Sequence, residues 1–340
     1  MQNYSLIDSQ TPRPGPCRPL SRRDFLGRSA SAAAGIAAAS CVAPAFCRAA
    51  KDSSRKPGSQ AIRLGAPVSA KSSDPDEVAL AHRALGYRAA YCPNIPLSDT
   101  DRIRATREAF ARHDVVIAEV GRWCNLLDAD ADKRRQNLQT VTDGLALADA
   151  IGARCCVDIA GSFSTASWFG PNPENLSPKF FDAAVENARK IIDAVKPTRT
   201  KFCYEMMGWA LPDSPESCAK LLKAVDRPGF GVHLDPCNLV NSPAKFYGNR
   251  DLLNECFDKL GQWIVSCHAK DLAWEVEMNV HFREVVPGKG ELDYPTYLRR
   301  VASLPQNPPL MIEHLSKPEE YAAAAKHIVA VGREAGVSFE

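Results

Sequence analysis

From residue 61 onward the hydrophobic positions fall into one repeated alternation: a short apolar run, a few polar residues, then an amphipathic stretch of about three to five turns. The apolar runs occupy 61–67, 87–93, 115–121, 153–160, 200–206, 230–236, 263–270 and 309–315. Runs of this length bounded by turn residues read as buried strands. The stretches between them carry helix-start signals: Ser or Asp ahead of "PDEVALAHRALG", Ser98 ahead of an acidic first turn, Ser177 followed by Pro178, and then Ser214, Asn249, Asp293 and Ser316. Gly86 and Gly152 stand where two of them should stop. Eight alternating strand and helix units require parallel strands and right-handed crossovers, which predicts an α/β fold, a single (β/α)8 TIM barrel. A doubly wound open sheet is the structural alternative. It favours a G-x-G-x-x-G turn after the first strand, and "LGAPVSAKSSD" has none.

The first 50 residues break the pattern. A Pro-rich polar stretch leads into "SRRDFLGRSASAAAGIAAASCVAPAFCRAA", where Arg22, Arg23, Phe25 and Leu26 together look like a twin-arginine export signal. Its Ala-rich run, roughly 16 residues, is too short and too weakly apolar for a stable span, which needs ~20. "APA" at 43–45 offers a small-residue cleavage site. The expected organisation is therefore residues 1–50 as signal and linker and 51–340 as barrel. The expected location is periplasmic or otherwise extracytoplasmic, without membrane attachment after cleavage.

Hydrophobic residues make up 45% of the 340, enough for a large core. Lys and Arg total 42 against 40 Asp and Glu, so no basic field points to a nucleic-acid partner. The 12 cysteines are irregularly spaced, without a C-x-x-C pair, and several lie inside apparent strands. Adjacent Cys155 and Cys156 point to opposite strand faces and so cannot bridge each other easily. Free core thiols are the expectation.

Chemistry enters with "CYEMMGWALP" and "HLDPCNLV", apolar runs that each hold one carboxylate. In a barrel the active groups come from the C-terminal ends of strands, where alternate side chains face the mouth. The last four predicted strands end on Glu205, Asp235, His268 and Glu313. Two Glu, one Asp and one His converging on one point suit one divalent ion, Mn2+, Mg2+ or Co2+ ahead of Zn2+ because oxygen donors dominate. A bound cation also offsets the several kcal/mol that each buried carboxylate costs. Strand parity sets His233 on the same side as Asp235, one layer deeper, as a core imidazole or a substrate contact. It sets Lys270 toward the mouth, beside a developing oxyanion or a ligand carboxylate. Asp158 reads either as an inward functional acid or as a paired strand-end acid. Trp168 and Trp209 fall in mouth loops where a ring can stack on a sugar face, while His281 and His314 read as surface residues.

The strings "YEMMGW", "HLDPCN", "SCHAKDL", "PGKGELDYPTYLRRV" and "PLMIEHL" resemble the xylose isomerase-like barrel superfamily of sugar isomerases and epimerases. The resemblance spans about residues 61–337 and is strongest from 200, where H-x-K-D at 268–271 precedes P-G-x-G-x-x-D at 287–293. It implies Glu205, Asp235, His268 and Glu313 as metal ligands, with Glu205 and Glu313 also the acid/base pair. The implied reaction is proton abstraction next to a carbonyl of a sugar or sugar derivative, through a metal-stabilised enediolate. Ketohexose 3-epimerases carry a His three residues after the sixth-strand Asp, and here that position is Asn238. Their later substrate-binding Arg falls about at Trp274, with Arg283 further along the loop. These departures turn the expectation away from a ketohexose. The expected substrate-binding set is His233, Asn238, Lys270, Arg283 and Trp209, and the expected partner a small carbohydrate, with a homo-oligomer as the superfamily's habit. Two alternatives stay open: a lyase, dehydratase or hydratase acting on keto-inositols or 3-keto-glycosides through the same enolate, and a non-catalytic sugar-binding barrel. A phosphodiesterase like endonuclease IV needs a His-rich multi-zinc cluster, which seven His and a balanced charge do not favour.

Overall fold

The computed structural model of the protein describes residues 60–340. The export signal, its cleavage site and the linker predicted for residues 1–50 lie outside the described residues. Eight parallel strands close into a barrel: β1 (Leu64–Gly65), β2 (Ala89–Tyr91), β3 (Val116–Gly121), β4 (Cys155–Asp158), β5 (Lys201–Glu205), β6 (Phe230–Leu234), β7 (Ile264–Ala269) and, last in the chain, β10 (Leu310–Ile312). β10 pairs with both β7 and β1, so the sheet has no free edge. Each predicted strand is present and shorter than its apolar run. The ladders of β1 and β10 span only two and three residues.

The crossovers are helical: α1 (Pro75–Ala84), α2 (Thr100–Arg112), α3 (Ala131–Ile151), α4 (Pro178–Val195), α5 (Pro215–Val225), the short α6 (Pro243–Tyr247), α7 (Asn249–Leu260), α8 (Tyr294–Ala302) and α9 (Pro318–Glu334). Their starts follow the sequence signals closely. Ser177 caps α4 by accepting from the Phe180 amide, Ser214 closes a reciprocal capping box with Ser217 on α5, and Asp293 accepts from the Thr296 amide of α8. Of the Ser or Asp expected to cap α1, Asp74 does so, and α2 is capped by Asp99 rather than Ser98. Gly152 ends α3 in the left-handed conformation, φ 80°, which a residue without Cβ adopts freely. No helix among the described residues is long and apolar enough to cross a membrane.

The main core lies between barrel and helices, and a smaller one fills the lumen. Alternation sorts the side chains: Cys156, Phe202, Tyr204, Val232 and Leu234 join the outer core, while Cys155, Val157 and Cys203 pack with Val265 inside. Cys155 and Cys156 thus face opposite sides, and all nine described cysteines are free thiols.

One element was not predicted. After β7 the chain does not enter a plain loop but makes an antiparallel hairpin, β8 (Asp271–Trp274) with β9 (Phe282–Val285), joined by residues 275–281. The sequence there has no two-residue turn signal, and the hairpin's tip carries exposed Val276, Met278 and Val280, which mask its alternation.

Candidate metal centre

Parity brings the predicted ligands together. Cys203 and Glu205 face inward on β5, Asp235 follows β6 by one residue, His268 lies on β7, and Glu313 follows β10 by one residue. One donor atom from each of Glu205, Asp235, His268 and Glu313 lies within 4.8 Å of the others. From His268 Nδ1 the nearest oxygens are Glu313 Oε2 at 3.0 Å, Asp235 Oδ2 at 3.5 Å and Glu205 Oε1 at 3.7 Å. All four side chains are buried or nearly so.

The hydrogen-bond balance of this cluster is what a cation site requires. Asp235 Oδ2, His268 Nδ1 and Glu313 Oε2 are buried and have no hydrogen-bond partner. Lys270 Nζ lies 2.9 Å from both Asp235 Oδ2 and Glu313 Oε2, but off the angle that a hydrogen bond needs, so it contributes charge rather than a directed bond. Buried lone pairs left unmade cost about 1–3 kcal/mol each, and more for charged groups, so three of them aimed at one point fit a missing ligand better than a packing accident. The formal charges agree: a dication together with the Lys270 ammonium balances the three carboxylates. The buried acidic and imidazole group can therefore hold a metal ion.

Electrostatics inside the cluster run in consistent directions. Burial pushes the Glu313 carboxyl up, but His268 and Lys270 reverse this and bring its pKa down to about 2. Asp235 is likewise displaced downward, its burial outweighed by Lys270 and His268. Burial opposes the charged form of Lys270, yet Asp235, Glu205, Glu313 and Glu284 drive its pKa upward, so it stays an ammonium. His268 is raised by Glu119, Glu313 and Glu205 against its own desolvation.

Beneath the four lies a group that sequence reasoning missed. Glu119 on β3 is 1% exposed; its Oε2 meets His233 Nε2 at 2.8 Å and Ser266 Oγ at 3.3 Å, and its Oε1 meets His268 Nε2 at 3.2 Å. Burial raises the Glu119 carboxyl, and the two imidazoles more than undo this, leaving it well below the ordinary carboxylate range. Strict alternation sets Glu119 on the same face as Ile117, which packs in the outer core. A register shift overrides it: Ala90 pairs with Ile117 but Tyr91 with Glu119, so Ala118 is an extra residue that turns Glu119 into the lumen. Only the bulge reveals this acid.

The predicted substrate-binding residues separate into three groups. Lys270, 2% exposed on its side chain, stands at the carboxylate cluster, and Asn238 Nδ2 donates to Glu205 Oε1 at 2.6 Å. Arg283 sits at the rim on β9, mostly exposed and paired with Glu275. Trp209 is exposed in the loop after β5, and Trp168 packs edge-on against Phe169 after β4. His233, by contrast, is fully enclosed and bonded to Glu119 under His268, 4.1 Å from it between ring centres, which corrects the expected substrate contact: no face of it reaches the mouth. Asp158 points away from the lumen face of Val157 and spends its carboxylate on the amides of Cys124 and Ile159. His314, read as a surface residue, is exposed but borders two cavities and pairs with Glu284.

The H-x-K-D and P-G-x-G-x-x-D strings prove to be one clamp. Asp271, buried, accepts from the backbone amides of Leu272, Gly288, Gly290 and Leu292, tying the turn 287–293 to the end of β7, where His268 lies and Lys270 follows. A Cβ at Gly290 would meet Asp271 Oδ1 at 2.2 Å, so only glycine fits there.

Two cavities flank Glu313 and His314. One, about 490 Å³, is walled by Pro67, Val68, Val78, Tyr91, Pro93 and Tyr321; the other, about 410 Å³, by Lys270, Arg283, Glu284, Lys289, Ser316 and Glu320.

Comparisons with known proteins support the fold. A xylose isomerase-like barrel protein from Mycobacterium smegmatis, solved in complex with magnesium, has 18% identity and a TM-score of 0.57, covering 81% of this chain and 97% of that one. D-Psicose 3-epimerase from Clostridium cellulolyticum, solved with D-tagatose, has 13% identity and a TM-score of 0.58, covering 81% of this chain and all (100%) of that one. Endonuclease IV from Thermus thermophilus has 17% identity and a TM-score of 0.58, over 80% and 99%. Such identities speak for the fold alone, and the neighbours span more than one chemistry. No curated protein matches in sequence. The profile of the xylose isomerase-like TIM barrel matches residues 79–331, three quarters of the chain, and the protein belongs to that family.

Proposed function

We propose that the protein is a divalent-metal-dependent isomerase or epimerase of a sugar or sugar derivative, with Glu205 and Glu313 as its acid/base pair. The observation that carries the reading is the trio of orphaned buried atoms, Asp235 Oδ2, His268 Nδ1 and Glu313 Oε2, grouped with Glu205 at the strand ends. A divalent ion held by these four residues would polarise a substrate carbonyl and its neighbouring hydroxyl and so acidify the C–H between them.

Glu205 and Glu313 reach the site from β5 and β10, with β6 and β7 between them in the barrel. One carboxylate removes the proton from one face of the carbon and the other returns it from the opposite face, which is what inversion demands. Asn238 donates a 2.6 Å hydrogen bond to Glu205 Oε1, the oxygen turned to the cluster, and so fixes the orientation of the carboxylate. Lys270, kept charged, stands beside the oxygen on which negative charge develops. Arg283, Lys289 and Ser316 line the polar cavity next to Glu313 and would orient hydroxyls. Arg22 and Arg23 support the further proposal that the enzyme works outside the cytoplasm.

The test is incubation of Mn2+-, Mg2+- or Co2+-loaded protein in D2O with aldoses, ketoses, inososes and 3-keto-glycosides. Deuterium entering a C–H next to the carbonyl supports the reading. No exchange with any of them, with the ion shown to be bound, overturns it. A new enone absorbance would move the protein to the dehydratases, which share the deprotonation but expel a β-substituent.

A further inference from the structure

We propose that Glu119 is a positioning residue for the metal centre: it holds the His268 ring with Nδ1 toward the three carboxylates, and His233 and Ser266 hold Glu119 in turn. The proposal rests on the reading of a dication at that centre.

An imidazole has two nitrogens, and the hydrogen bond made by one decides what the other can do. His268 is fully buried, so water cannot serve as the second partner. Its Nε2 faces Glu119 Oε1 at 3.2 Å, and a carboxylate only accepts, so Nε2 must carry the proton. Nδ1 is then left with a lone pair, and that is the nitrogen turned to Glu313, Asp235 and Glu205. The same logic applies on the other oxygen, where His233 Nε2 at 2.8 Å and Ser266 Oγ at 3.3 Å are the donors. If the His268 ring turned over, a carbon would face Glu119 and leave a buried carboxylate oxygen without its donor. The wrong orientation is therefore penalised twice, once at each nitrogen.

Glu119 has no other visible task. It touches neither cavity beside Glu313, and it reaches the lumen only because Ala118 is inserted into β3, at the cost of a regular ladder. The three side chains Glu119, His233 and His268 also form a ligand set of their own, so the number of bound ions is part of the test.

The experiment compares wild type, Glu119→Gln, Glu119→Asp and the ligand control Glu205→Gln. It uses calorimetric titration with Mn2+, the visible spectrum of the Co2+ form, and 15N-histidine NMR of the Mg2+-loaded protein. Expected are one ion per chain, His268 bound through Nδ1 with a solvent-protected Nε2–H, and affinity about 10–100-fold weaker in Glu119→Gln with an altered Co2+ spectrum. Glu119→Asp, which keeps the acceptor, should recover part of the loss. A Glu119→Gln affinity within twofold of wild type with an unchanged spectrum, coordination through Nε2, or two ions per chain would overturn the proposal. Should Glu119→Gln not fold, the wild-type NMR decides alone. If wild type binds no ion, the proposed function fails, and Glu119 is then judged on the metal-free protein: protected, downfield Nε2–H signals from both His233 and His268 sustain it, and free exchange at either ring sinks it.

Discussion

The barrel's mouth is built from two unlike halves. Along β5, β6, β7 and β10 every inward residue at or just beyond the strand end is ionisable: Glu205, Asp235, His268 with Lys270, and Glu313. Along β1 to β4 the corresponding inward positions are small or apolar, with Gly65, Tyr91 and Val157 pointing inward, and the inward acid on that side, Glu119, is sunk a layer deeper. The cavities repeat the division, one walled by Pro67, Val68 and Val78 and the other by Lys270, Arg283 and Lys289, with Glu313 between them. Charge is concentrated where one cation can neutralise it, and the opposite side supplies shape and a support from below.

Removing charge from the ionisable half should have the largest effect. Glu205→Gln and Glu313→Gln, each close in shape to the original, are expected to slow deuterium exchange by about 10²–10⁴-fold, the usual weight of a general acid or base. Exchange at the wild-type rate in both variants would break the assignment of chemistry to that half. Next comes the ion itself. At 100 times its dissociation constant a ligand that binds only the folded state stabilises by about 2.7 kcal/mol, so chelation should lower the melting temperature of wild type and leave Glu205→Gln nearly unmoved. Below that lies the clamp: Gly290→Ala drives a methyl into Asp271 and should cost about 1–3 kcal/mol by denaturant titration, as overpacking does.

The smallest effect belongs to the apolar half. Burial alone brings His82 from 6.5 to about 4, so the folded protein takes up its proton later than the unfolded chain. Stability from this group is present above about pH 6.5 and is lost as pH falls toward 4. His82→Phe should remove that part of the slope, read from denaturation midpoints across the interval. In the ionisable half the window is lower: Glu313, depressed from 4.5 to about 2, contributes above pH 4.5 and loses its contribution as pH falls toward 2. A metal-free protein whose stability fell mainly above pH 6.5 would contradict both.

The difference between the halves also governs what could be read in the sequence. Glu205, Asp235, His268 and Glu313 were legible because the alternation holds over the last residues of each apolar run, so counting by two from Cys203, His233 or Ser266 gives the right face, even though β7 shifts register earlier, at Val265. Glu119 was not, because Ala118 changes the phase of β3 and nothing in "VVIAEVG" marks the insertion. His233 had the correct side and depth, and of its two readings the core imidazole holds, bonded to Glu119, while the substrate contact does not. The hairpin β8–β9 escaped for want of a turn dipeptide. The string from His268 to Asp293 was recognisable as a pattern, but its meaning as four amides gathered on Asp271 needed the third dimension.

That knot of amides has an evolutionary and practical reading. Because Asp271 fastens the turn at 287–293 to the start of the hairpin, residues 275–281 form a finger whose length is set apart from the four-residue cluster. A longer or differently charged segment there would therefore leave the four amides on Asp271 in place.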